Sequence, residues 1–146
     1  MPTRPALDGE AAVAAHWPVD GPHSADDFAQ AMLALQHLIR YANHATLDAG
    51  PRVTPDPQDA ATIVRRLGDA LGGLPQLCDQ LAHRADHFAA DPALHAADIV
   101  THEPGVQAAI AAEALRELAA ATARLRDLAG AAASALDTLW LDPDQP

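Results

Sequence analysis

The chain has 146 residues, with nine Lys plus Arg against 20 Asp plus Glu and a formal net charge of −11. One domain's worth of chain is present. Its acidity argues against a counterion-releasing grip on nucleic acid, and an anionic membrane surface would repel it. A single cysteine, Cys78, leaves no internal disulfide framework. There is no run of about 18 apolar residues, and "AAVAA" at residues 11–15 is too short and too acidic in its flanks for a secretory signal. These features predict a cytoplasmic protein with no nucleic-acid or membrane partner.

Hydrophobic residues make up 49% of the chain, yet aromatics only 3%. Alanine alone accounts for 36 positions, and Lys is absent, so all nine bases are Arg. Such usage is what a GC-rich, actinobacterial kind of genome produces. Ala and Leu favour helix, β-branched and aromatic residues are scarce, and no stretch alternates in the manner of a strand. The composition predicts an all-α fold.

Residues 1–23 carry four prolines and two glycines without a helical period, and read as an extended or disordered arm able to dock through Trp17. The helical-bundle domain is expected over 24–142. Ser24, with Asp27 three residues on, has the form of a capping box. A first long helix should run from there to Ala49, where Gly50-Pro51 stops it. Its apolar stripe is Phe28, Met32, Leu35, Ile39 and Ala42. A second helix should begin near Asp56, with Pro57 at its first position.

Gly72, Gly73 and Pro75 ought to break that second helix. Leu67, Leu74, Leu81 and Phe88 nevertheless hold a strict seven-residue spacing across the interruption. Residues 56–90 are therefore expected to form one kinked helix or two nearly collinear ones, with those four residues as the buried seam. A short helix is conceivable over 93–102. The last helix should run from about Pro104 to Leu139, its seam formed by Ala111, Leu118, Leu125, Ala132 and Leu139. Two helices of about 35 residues, joined by a short connector, fit an antiparallel hairpin. With the first they make a bundle of three long helices, or four if 72–75 is a break.

The last helix carries alanine nearly all round, which marks burial on more than one face. The spare stripe, Ala112, Leu115, Ala119, Ala123 and Ala133, is a candidate interface for self-association or a protein partner.

Eight histidines offer other chemistry. Asp79, His83 and His87 share one stripe at a spacing able to present two imidazoles and a carboxylate to Zn or another divalent transition metal. Asp91, His95, Asp98 and His102 form a second stripe, and His37, Tyr41 and His44 a third. Against the leucine seam, the imidazoles of the first and third stripes take solvent-side positions. The Glu-x-x-His motif of di-iron bundles does not occur. Cys78 has no activating neighbour in sequence, and Gly72-Gly73 follows a helix rather than a strand, so it is no phosphate loop. No catalytic residue is assigned. The expected role is protein–protein contact, as a homodimer or accessory subunit, with a histidine-based metal-binding bundle or enzyme as the alternative and no cofactor otherwise.

Overall fold

A computed structural model describes residues 7–97 and 102–142, apart from the side chains of residues 48 and 51. Four helices follow in order: α1 (Gly9–His16), α2 (Ala25–Val53), α3 (Pro57–Ala89) and α4 (Pro104–Asp137). Among the described residues there is no strand, so the all-α expectation holds. No helix among them is long and apolar enough to cross a membrane. The chain divides into two units at Val53/Thr54, and α2 thus groups with the N-terminal segment although the Ser24 cap marks where the long helices begin.

In the first unit, part of the segment expected to be extended is helical. Asp8 caps α1 by accepting from the backbone N–H groups of Glu10 and Ala11 at 3.0 and 3.1 Å, which satisfies donors the first turn leaves unpaired. Ser24 caps α2, with Asp27 engaged through the serine hydroxyl instead of the backbone N–H of a full capping box. The Asp27 N–H donates to Ser24 Oγ at 3.0 Å, while the Ser24 hydroxyl donates to Asp27 Oδ2 at 2.6 Å. Ala49 leaves helical geometry (φ −135°, ψ 25°), just before Gly50-Pro51. The helix kinks there instead of stopping, and continues to Val53 beyond the end expected at Ala49.

In the second unit, Asp56 caps α3 by accepting from the Asp59 N–H at 2.8 Å, and Pro57 takes the opening position. The helix runs unbroken through Pro75. The stretch leading into the proline is seated on α4. A Cβ built on Gly68 would lie 3.4 Å from Ala129 Cβ, and one on Gly72 would lie 3.3 Å from Arg126 Cδ. That packing offsets the backbone bond the proline removes. Residues 91–97 form turns and irregular chain instead of the short helix considered for 93–102, whose residues 98–101 lie outside the described set.

Helices α3 and α4 pack as an antiparallel pair. Gly68 meets Ala129, Asp86 meets Arg116, and Gly105 lies against the Ala89 carbonyl. The buried seam differs from the leucine column. On α3 it is Ala61, Gly68, Cys78, Ala82 and Ala85; on α4 it is Ala112, Ala119, Thr122, Ala129 and Ala133. Ala82 and Ala112 are fully buried and form one cluster with Ala85, against which Leu115 packs. Small side chains let the helix backbones approach closely, so dispersion contacts of the backbone replace those of large side chains. The leucines expected at the centre stand beside it: Leu67 is 54% exposed and Leu81 39%. Their counterparts on α4, Leu118 and Leu125, are also exposed.

Candidate functional site

Both helices repeat every seven residues, and each column has a fixed place relative to the seam. Four residues beyond the buried column at 61, 82, 112 and 133 stand Arg65, Asp86, Arg116 and Asp137. These pair across the helices: Arg65 Nη2 to Asp137 Oδ2 at 2.5 Å, and Arg116 Nη2 to Asp86 Oδ2. Gln58 adds a hydrogen bond to the Leu139 carbonyl. Gly72, Asp79, His83, Ala123 and Arg126 line a groove on this same side. One side of the hairpin is therefore polar.

One residue before the buried column stand Leu67, Leu74, Leu81 and Phe88 on α3, and Ala111, Leu118, Leu125 and Ala132 on α4. In an antiparallel pair these two columns flank the seam on the opposite side. Phe88 and Ala111 line one shallow hollow there, together with Leu94 and Pro104. The next columns outward, Ile63, Ala70, Leu77 and Arg84 on α3 and Ala114, Ala121, Leu128 and Ala135 on α4, widen the same face. Across all of these positions the single charged residue is Arg84. Its guanidinium lies over the Phe88 ring, 4.6 Å from the centroid, a cation–π contact that holds the charge at the edge of the apolar surface.

Within the second unit the residues of this face are exposed. Leu125 is 48% exposed, Leu128 65% and Phe88 43%. Over the length from Ile63 to Phe88 it spans roughly 38 Å by about 20 Å, from the helix rise and diameter. That is about 750 Å², beyond the roughly 300–600 Å² of the largest apolar patch on an ordinary monomer.

The residues singled out from sequence fare differently. Ala112, Ala119 and Ala133 are buried against α3, Leu115 packs on the Ala82–Ala85–Ala112 cluster, and Ala123 is exposed on the polar side. Four of those five are thus consumed inside the hairpin, and the column left exposed is the leucine column assigned to the core. The alanine seam and the leucine column exchange roles.

Asp79, His83 and His87 are exposed. His83 Nδ1 donates to the Asp79 backbone carbonyl at 2.8 Å, a bond within the helix that ties up one ring nitrogen. Among the described residues no group of three or more His, Cys, Asp or Glu side chains gathers as a metal-binding set. His37, Tyr41 and His44 are exposed, as are Asp91, His95 and His102, while Asp98 lies outside the described residues. Cys78 is a buried free thiol in the seam, as an apolar packing residue would be.

The first unit holds a further hollow that sequence reasoning did not anticipate beyond the docking of Trp17. His16, Trp17, Pro22, His23 and Phe28 line it, near the Ser24–Asp27 cap. The His16 and Trp17 rings meet edge to face at 5.8 Å. Its hydroxyl and carboxylate are already engaged in the helix cap, so its walls are chiefly rings and aliphatic carbon. In comparisons with known proteins, the chain matches no family model, no curated sequence and no solved structure.

Proposed function

We propose that this protein acts by protein–protein contact through the apolar face of the α3–α4 hairpin, as a homodimer or an accessory subunit in the cytoplasm. The observation that carries this reading is the segregation of the hairpin: cross-helix ion pairs on one side, exposed Leu67, Leu81, Leu118, Leu125 and Leu128 on the other. Leaving five leucines half in water forgoes on the order of 1 kcal/mol each. A surface with that penalty is one that another apolar surface covers.

The test is a photoactivatable amino acid placed at position 125 in the producing cell. A covalent adduct to a second polypeptide supports contact through this face. Absence of any intermolecular adduct, with adducts confined to the same chain, overturns it.

A further inference from the structure

We infer that the occupant of the apolar face is a second copy of this chain, forming a two-fold antiparallel four-helix bundle from two α3–α4 hairpins; the inference rests on the reading of the hairpin face as a contact surface. Three observations lead to it.

The first is charge. Each copy carries a net charge of −11, so two copies repel at long range. The columns of the apolar face contain no carboxylate, and their one charge, Arg84, is held against Phe88. The polar side presents Asp69, Asp79 and Asp127. Pairing through the leucine face keeps both sets of carboxylates pointing away from each other. Pairing through the polar side would bring them together.

The second is area. About 750 Å² from each copy matches the roughly 800 Å² per partner of a standard stable interface, with an apolar centre and a charged outer boundary as such interfaces have.

The third is relief. The α3 half of the face is built of large residues (Leu67, Leu74, Leu81, Phe88), whereas on the α4 half the leucines Leu118 and Leu125 stand between Ala111 and Ala132. A two-fold axis parallel to the helices lays α3 of one copy on α4 of the other, Leu67 and Phe88 toward the end alanines and Leu74 and Leu81 toward the central leucines, and leaves every neighbouring pair antiparallel. A self-complementary patch is what an isologous interface requires.

The experiment is sedimentation and light scattering of the full chain over a wide concentration range, with helicity followed by circular dichroism. The wild-type chain should be a dimer, and its association should tighten as salt is raised, because salt screens the repulsion between acidic copies. Leu74→Glu and Leu125→Glu should raise the dissociation constant about a hundredfold or more while the chain stays helical. Gln76→Glu, on the polar side, should leave it unchanged. Should both glutamate variants lose their helicity, Leu118→Ala and Leu125→Ala must still weaken the dimer. A wild-type chain that is monomeric throughout, a dimer indifferent to the folded leucine variants, or a dimer loosened by salt overturns the inference. A monomer whose position 125 crosslinks to a different protein overturns self-pairing and leaves the broader reading standing; a monomer with no intermolecular adduct overturns both.

Discussion

A methyl group built on Gly68 would sit 3.4 Å from Ala129 Cβ, so at this point α3 and α4 are held apart by one alanine side chain and no more. The same economy recurs along the seam, where Ala82 and Ala112 are both fully buried. Helix separation in this hairpin is set by methyl groups, and large side chains have no room in it.

Ala82→Leu or Ala112→Leu should therefore destabilise the chain by about 1–3 kcal/mol, since added methylenes force the backbones apart. Chemical denaturation at a fixed protein concentration measures it. An unchanged midpoint would show that the seam is loose enough to accept larger residues.

Gly105→Ala tests the end of the hairpin. Alanine ordinarily favours a helix over glycine by up to about 1 kcal/mol, yet a Cβ here would approach the Ala89 carbonyl oxygen to 2.9 Å. Backbone cannot swing aside as a flexible side chain can. The expected outcome is a lower melting temperature despite the better propensity, whereas the same change at Gly73, inside α3, where a Cβ meets nothing within 4 Å, should raise it.

Thr122 is the buried polar residue of the seam, and its hydroxyl donates to its own helix, to the Leu118 and Ala119 carbonyls at 3.0 and 2.9 Å. No bond crosses to α3. Thr122→Val keeps the shape and removes a hydroxyl whose acceptors retain their helix hydrogen bonds. Stability should change by less than about 1 kcal/mol, whereas a drop of several would reveal a cross-helix role for the hydroxyl.

The ion pairs should matter less than the seam. Arg65 and Asp137, like Arg116 and Asp86, keep about half of their side-chain surface in solvent. Arg65→Ala and Arg116→Ala should each cost less than about 1 kcal/mol, and the cost should shrink at high salt. Arg116 also lies 3.7 Å from Glu113, so its replacement should be the more salt-sensitive of the two. Thermal melts at low and high ionic strength compare them.

The elements themselves were written locally. Ser24 with Asp27, Asp56 with Pro57, and Gly50-Pro51 act through bonds and sterics within a few residues; the first two gave helix starts, and the third gave a kink at Ala49. The seven-residue rhythm through Pro75 announced one kinked helix or two nearly collinear ones, and the structure has a single helix there. The helix at Gly9–His16 was less legible, because its cap is Asp8 and its short alanine run sits among prolines that point to irregular chain.

What the amino-acid order determined was the period: all-helical, with two long helices repeating every seven residues. It could not say which column of that repeat meets the neighbour, because Leu67–Leu74–Leu81 and Gly68–Pro75–Ala82 share one rhythm and differ by a single residue, about 100° of rotation. Hydrophobicity favours the leucines for the seam. Only the packing of one helix against another decides for the alanines, since close approach of two backbones is a property of the pair and not of either helix alone. That one-residue rotation turns the leucines outward and leaves them exposed.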